Sequence, residues 1–501
     1  MSTIFLRRTL LSCGMTLALC TAAPAHADEN LASFGRVTEA KEASSRISLV
    51  DVAPVLLPYF NNAPTFGTPG TRTGALSERT QLTGDWNGTR TELARRGVFL
   101  DVYTTSAYSN VNSGGLDTGD WFAQNIQTSL NIDTARAGWW NGGLLHVTLQ
   151  SRYGDDTERT FNAGTSLPSY TGLLHPGPTY SHDTYPTEMF LVQGLSKQVS
   201  VVLGRISDIY IPDQTTFGDS YKYYFANFNF NKNPMTAGFY QPTAWSALGI
   251  WAPSRRLVLA GGVLDPYSDA RTFSKNAFQK VNLYLMAVAT YRIAGMPGSI
   301  GPAFNWSNAP KTDLSQPFTG LQAAEVPAAI GALLGARSFE GLPVNRKQES
   351  WFAIANASQY LWLKDDPADV PAKLKGGEVL SGVGVFARAG YAPEQTNVVT
   401  RDASVALFAH GVLDARPYDS FGVGWYYNEI SGDFKNAIST LTQGHRRAGN
   451  ESGTEVFYNL AITPAVRFIG SYQYIRHPLS AQVAEGRDAT SLVMGRVTVA
   501  W

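Results

Sequence analysis

The feature that most restricts the fold of this 501-residue chain is a two-residue alternation. It returns along the length and never gives way to a long apolar run. In "IQTSLNID", Ile126, Thr128, Leu130 and Ile132 share one parity, while Gln127, Ser129, Asn131 and Asp133 share the other. "LLHVTLQSR" sets Leu145, Val147 and Leu149 against His146, Thr148, Gln150 and Arg152. The pattern recurs in "KVNLYLMAVATYRI", "VGVFARAGY" and "VRFIGSYQYI", and again in the final "SLVMGRVTVAW". Side chains of an extended strand point alternately to two faces, so each run predicts a strand with one apolar and one polar face. Each is close to the ~9–11 residues of a tilted strand that crosses a membrane.

A soluble sandwich with one wet face also alternates, but its apolar face holds bulky residues packed on a second sheet. Here that face is rich in alanine, glycine and tyrosine, which suits lipid tails and headgroups. Arginine recurs on the polar parity, where a water-filled lumen keeps it solvated. Charged residues make up 16% of the chain, below the ~25% usual in soluble domains. Mean hydropathy is nevertheless −0.13. No stretch after residue 27 holds 18 apolar residues, which excludes a helical membrane protein. The predicted class is therefore all-β: a transmembrane antiparallel β-barrel of about sixteen strands with long loops. Forty basic residues balance forty acidic ones, so there is no basic excess for a nucleic-acid partner.

The amino terminus reads as a secretory signal over residues 1–27: Arg7 and Arg8, an apolar stretch, then small residues at Ala25 and Ala27. Both cysteines, Cys13 and Cys20, fall inside it, so neither a disulfide nor a thiolate site is expected downstream. Residues 28–80, rich in Pro, Gly, Thr and Ala, read as a poorly structured periplasmic leader ahead of a barrel over 81–501. A short periplasmic helix is predicted in "TRTELARRG", capped by Thr89 with Glu92 as its capping-box partner and ended by Gly97. Long loops are expected at 153–187, 207–247, 296–348 and 433–453.

Catalytic signatures are sparse. There is no nucleotide loop, zinc-binding HExxH pair or GxSxG elbow. His175 and His182 share a loop without ligand spacing, and Asp155–Asp156 and Asp365–Asp366 sit beside Gly or Pro as turn chemistry. No cofactor and no enzyme activity are expected.

"LTGDWNGTR", followed by a helix and a strand, resembles the start of the OprB family of carbohydrate-selective porins. The resemblance continues through "NGGLLHVTLQSRYGDD", "VVLGRISDIY", "YYFANFNFNKNP", "GIWAPSRRLVLAGGVLDP" and "GVFARAGYAPEQTN". It closes with "GVLDARPYDSFGVGWYYNEIS", "SGTEVFYNLAITPAVRFIGSYQYIRHP" and "VMGRVTVAW", covering nearly all of residues 82–501. Family members usually carry Gly where this chain has Asn87. The resemblance implies a sixteen-stranded barrel in the bacterial outer membrane, among its lipid and lipopolysaccharide, through which sugars diffuse passively. It also implies that Trp501, standing where Phe is more common, is read by the barrel-assembly machinery. Assembly as a homotrimer, common among porins, is left open.

A sugar channel needs donors and acceptors for hydroxyl edges and aromatic plates for C–H faces. By strand parity Arg152, Arg292, Arg388, Arg467 and Arg496 point inward, as do Glu455, Asn459 and Gln473. Loop 207–247 adds "YYFANFNFN" and Trp245 as a mixture that folds in and narrows the pore. Arg205 has the outward parity and joins this set only through the resemblance. Two other readings compete: a channel for organic acids that uses the lumen arginines on carboxylates, and a membrane-embedded hydrolase.

Overall fold

The computed structural model describes residues 73–155, 162–166, 183–206, 222–238, 243–254, 256–268, 277–334, 341–375 and 379–501. The signal and most of the leader, His175, His182 and Asp156 lie outside the described residues.

Sixteen antiparallel strands close on themselves. They are β1 (Val98–Gly114), β2 (Gly119–Asp133), β3 (Gly143–Gly154), β4 (Asp183–Gly194), β5 (Val199–Ile206), β6 (Ala244–Ser254), β7 (Leu257–Leu264) and β8 (Asn282–Ile293). Then follow β9 (Met296–Ser307), β10 (Ser350–Leu363), β11 (Gly382–Tyr391), β12 (Val399–His410), β13 (Ser420–Ile430), β14 (Glu451–Thr463), β15 (Val466–Arg476) and β16 (Ala489–Ala500). Each pairs with its sequence neighbours, and β16 pairs with β1 from Tyr103–Ala500 to Gly114–Thr490. Closure leaves no edge strand with unpaired backbone groups, the condition for crossing a hydrocarbon layer with strands.

The outward parity decides against a sandwich. Leu203, Leu285, Leu407, Val423, Val456 and Val497 are exposed there, together with Tyr108, Trp251, Trp425, Tyr458 and Tyr472. The largest apolar patch on a water-soluble monomer is about 300–600 Å², whereas this surface runs around the barrel. Lipid is the solvent that tolerates it. Trp139 and Trp140, stacked at 6.0 Å and both exposed, stand on the β2–β3 turn as interface anchors.

Short turns at 195–198, 294–295 and 464–465 lie at the end where β1 starts and β16 stops, and longer connections lie at the other. One strand escapes the sequence reading. β9 falls inside the stretch 296–348 expected to be a loop, because "MPGSIGPAF" carries the Pro and Gly that usually mark turns. At the long-loop end, α3 (Gly432–Leu441) and α4 (Leu479–Glu485) bury Phe434, Ile438, Leu479 and Val483 in a shared apolar cluster.

At the terminus end, α1 (Thr89–Arg95) precedes β1 and ends at Gly97, whose φ of +78° suits a glycine. Its start differs from expectation. Thr89 is the first helical residue and Gly88 stands in the cap position without a side-chain bond. Asp85 does the capping, accepting from the Thr91 N–H at 2.9 Å and its hydroxyl at 2.7 Å. Asn87 takes φ +57°, a left-handed conformation that asparagine tolerates, so the turn is kept without the family's usual glycine.

A carboxylate fastens the β12–β13 turn to β14. Asp419 accepts from Arg416 at 2.9 and 3.0 Å, from the Tyr458 hydroxyl at 2.7 Å and from the Ala461 N–H at 2.9 Å. Burial pushes the Asp419 carboxyl up, and the Arg416 and Tyr458 bonds outweigh that and hold it below its ordinary 3.8. A depressed folded pKa contributes stability above the unfolded value and loses it as pH falls through the folded one. Asp419→Asn should therefore lower barrel stability by about 2 kcal/mol at neutral pH and shrink the difference from the parent at acid pH. Heat conversion of the folded band on gels, followed across pH 2–7 (~ range of carboxylate titration), reads this. A pH-independent difference would refute it.

Candidate pore constriction

The segment between β5 and β6 folds into the lumen. Its described part contains α2 (Phe228–Asn231) and a 3-10 turn, Pro234–Gly238. Residues 223–236 are buried throughout. Its sequence explains how it seats, because aromatic and amide residues interleave in "YYFANFNFN". The rings fill an inward apolar patch: Phe225 lies 4.7 Å from Phe230 and 4.7 Å from Phe457, and Phe230 lies 5.8 Å from Tyr426. Gly424 on β13 makes the room, since a Cβ there would stand 2.6 Å from Phe230. The amides satisfy the segment's own backbone. Asn227 caps α2 by accepting from the Asn229 N–H at 3.0 Å, and Asn231 donates to the Phe225 and Asn227 carbonyls at 2.7 and 3.0 Å.

The wall from β11 to β16 grips this segment with charged and amide groups. Glu455 accepts from the backbone N–H groups of Ala226 and Asn227 at 2.7 and 2.8 Å. Gln473 accepts from the Asn227 side chain at 2.9 Å, and Asn459 donates to the Tyr223 carbonyl at 3.0 Å. Arg388 donates to the Phe230 carbonyl at 2.5 Å and the Asn231 carbonyl at 3.4 Å, and Arg496 donates to the Tyr224 carbonyl. Asp402 accepts from Asn233 at 2.9 Å. Arg467 sits nearer the terminus end, donating to the Tyr418 carbonyl at 2.7 Å beneath the Tyr223 ring.

The opposite wall, β1 to β4, is also polar. Arg152 is inward and buried, bonded to Gln150 at 2.6 and 3.1 Å and 5.5 Å from the Tyr185 ring centroid. Ser129 and Thr148 share a bond at 2.9 Å, and Thr148 reaches His146 at 2.8 Å.

Of the residues expected to line a pore, Arg152, Arg388, Glu455, Asn459, Arg467 and Gln473 are thus all on the inner wall. The last five meet the in-folded segment or the β12–β13 turn. Arg292 has the inward parity, but it is exposed at the short-turn end of β8, paired with Pro297. Trp245 differs from expectation. It is the second residue of β6 and not part of the in-folded segment, and it shares the parity of exposed Trp251. Arg205 is its cross-strand partner, with its guanidinium 5.1 Å from the indole centroid. Trp245 takes the outward parity because β6 already begins at Ala244, whereas Arg205, of the same parity on β5, is buried at 1% exposure and donates to the Pro186 carbonyl at 3.3 Å.

The profile of the carbohydrate-selective porin OprB family matches residues 121–500. The chain belongs to the OprB family. It is similar to the high-pH structure of Pseudomonas putida OprB, with a TM-score of 0.69 at 19% identity, covering 85% of this chain and 100% of that one. The low-pH structure of the same protein is 15% identical with a TM-score of 0.50, covering 85% of this chain and 99% of that one. Among curated proteins none matches. This OprB-family chain is accordingly a carbohydrate-selective porin with a barrel for the outer membrane, the fold of a channel.

In this porin the grip on the in-folded segment uses residues beyond those expected from parity. Phe386, Phe457, Tyr426 and Asp402 belong to it. The signal was present in "FGVGWYY", where the inward parity falls from glycine to glycine to tyrosine, leaving a hollow for a ring.

Proposed function

We propose that this porin passes mono- and small oligosaccharides by passive diffusion, and that segment 222–238 sets its narrowest part. One observation carries this reading: a loop is clamped inside the barrel by side chains that satisfy its backbone while the facing wall keeps hydroxyls and amides. That supports a fixed aperture lined with hydrogen-bonding groups, which suits solutes rich in hydroxyls. The arginines Arg388, Arg467 and Arg496 donate to backbone carbonyls, which weighs against a pore built around free guanidiniums for organic acids. Export through residues 1–27, reading of Trp501 by an assembly machinery, lipopolysaccharide contacts and assembly as three copies belong to the same proposal.

Liposomes containing the refolded protein should swell faster in glucose and in a disaccharide than in neutral amino acids of matched size. Rates that follow solute size alone would overturn sugar selectivity. An absence of swelling from folded protein would overturn passive diffusion itself.

A further inference from the structure

The outward wall near the seam carries positive charge that spanning a membrane does not explain. On β15 the outward parity runs Phe468, Gly470, Tyr472, Tyr474 and Arg476, from apolar through aromatic to an exposed guanidinium at the long-loop end. Tyr472 and Tyr474 are 46% and 45% exposed, and Trp425 and Tyr427 stack at 6.3 Å on β13; together they mark the level of the membrane interface. The register neighbours of Arg476 are short, Ser452 on β14 and Ala489 on β16. One row below, Tyr474 stands between Thr454 and Ser491. A guanidinium and a ring thus rise above residues too small to cover them, with hydroxyls at their sides.

Two loops bring further arginines to the same strands. Gln482 of α4 accepts from the Gly449 N–H at 2.5 Å, and a Cβ at Gly486 would stand 3.2 Å from Arg446 Nη1. The segment before β14 is therefore held against the turn before β16, where Arg487 follows Gly486. The His477 N–H donates to the Asp488 carbonyl at 2.7 Å, tying that turn to the residue after Arg476. Arg447, Arg476 and Arg487 are exposed and Arg446 is half-buried. Glu485 and Asp488 are the acidic residues of this turn, and Asp488 accepts from the Gln482 amide at 3.2 Å. Among the described residues, none of the four guanidiniums has an ion-pair partner. Arg401 is the contrast: it is also outward at the long-loop end, but it pairs with Glu429 at 3.3 Å.

Four uncompensated guanidiniums beside two carboxylates attract an anion, and the planar fork of arginine matches phosphate oxygens two at a time. The ring row beneath them fixes the depth at which that anion lies, where acyl chains give way to headgroups. Longer loops mark this end as the outer one. We propose that Arg446, Arg447, Arg476 and Arg487 form a docking site for the phosphates of lipopolysaccharide in the outer leaflet, with Tyr474 packed beneath its sugar and Ser452 and Thr454 bonding beside it. A lipid brings phosphate, sugar and acyl surface to this height together, which a dissolved phosphate does not. The site rests on the lipopolysaccharide contacts of the proposed function and gives them a location; it is independent of what the lumen passes.

The test titrates refolded porin in detergent with deep-rough lipopolysaccharide, with the same lipid stripped of phosphate and with phosphatidylglycerol, counting bound lipid by native mass spectrometry. Every variant is first shown to be folded by heat modifiability. Arg476→Ala should weaken lipopolysaccharide binding about fivefold, and Arg446→Ala combined with Arg487→Ala about twenty-fivefold. Arg476→Lys should lose less than Arg476→Ala, and Arg401→Ala should bind like the parent. The stripped lipid and phosphatidylglycerol should bind the parent weakly. Glucose swelling should be unchanged in every variant. A parent that binds no lipopolysaccharide would overturn the contact itself, and the site with it. A parent that binds, with Arg476→Ala and the double variant unaffected or with Arg401→Ala equally weakened, would overturn the site and leave the contact standing. Equal binding of the stripped lipid or of phosphatidylglycerol would overturn recognition of lipopolysaccharide phosphate.

Discussion

Glu455→Leu should open the pore: single-channel conductance rises severalfold and the preference for sugars over size-matched amino acids disappears, while the barrel stays folded. Glu455 takes two consecutive backbone N–H groups of the in-folded segment, those of Ala226 and Asn227. Leucine leaves both donors buried without an acceptor, at about 1–3 kcal/mol each. It also removes a negative charge that attracts the Arg496 guanidinium. Breaking one side of a buried pair costs about 3–5 kcal/mol. Those costs are relieved if the segment leaves the wall and its backbone meets water. The aromatic seat of Phe225 and Phe230 opposes departure, so the comparison with Glu455→Gln is informative. Glutamine keeps the shape and one acceptor, and should give an intermediate conductance. A double variant, Glu455→Leu with Arg496→Met, removes both charges and should be less open than Glu455→Leu alone. Parent-like conductance from a folded Glu455→Leu barrel would show that the rings alone hold the constriction.

Removal of Trp501 should cost most of the folded yield. The residue completes the seam between β16 and β1: its N–H donates to the Val102 carbonyl at 2.9 Å and its indole Nε1 to the Thr104 hydroxyl at 2.8 Å. It is also where the stretch before β1 takes hold. Arg90 donates to the Trp501 carbonyl at 2.7 Å and to the Gly84 carbonyl at 3.1 Å, with its guanidinium 4.1 Å from the Trp86 ring centroid. The Leu82 N–H adds a bond to the Ala500 carbonyl at 2.7 Å. Deleting the last residue takes away two seam bonds and the carbonyl that a buried Arg90 uses, a loss of about 3 kcal/mol. In a closed barrel that loss falls on the contact that forms between the two most distant strands in sequence, where loop closure is already most expensive. Trp501→Phe keeps the main-chain bonds and should lose only the indole bond, about 1 kcal/mol. Refolding yield and the heat-conversion temperature of the folded band measure both. A deletion that refolds and withstands heating like the parent would remove Trp501 from any part in closing the seam.

The alternation in "VGVFARAGY" and "VRFIGSYQYI" settled much before any coordinates: strand, face and lipid contact are properties of residues two apart. Polar and apolar parity then told which side would meet lipid and which the lumen. Gly97 announced the end of α1 in the same local way, since a left-handed residue needs no distant partner. Boundaries were less secure where local cues conflict. Pro297 and Pro302 disguised β9, and the run into Trp245 disguised the start of β6. What no local pattern carries is the occupant of the lumen. Glu455 and Arg388 read as inward polar residues, but their partners lie 229 and 158 positions away in sequence. A carboxylate aimed at a lumen is compatible with solute, water or a folded-in loop. Only barrel closure, which brings β14 and β11 to face the segment after β5, decided that those two hold that segment in place. The row that sets Arg476 between Ser452 and Ala489 was decided the same way, because neighbouring strands share a register that only the closed sheet fixes.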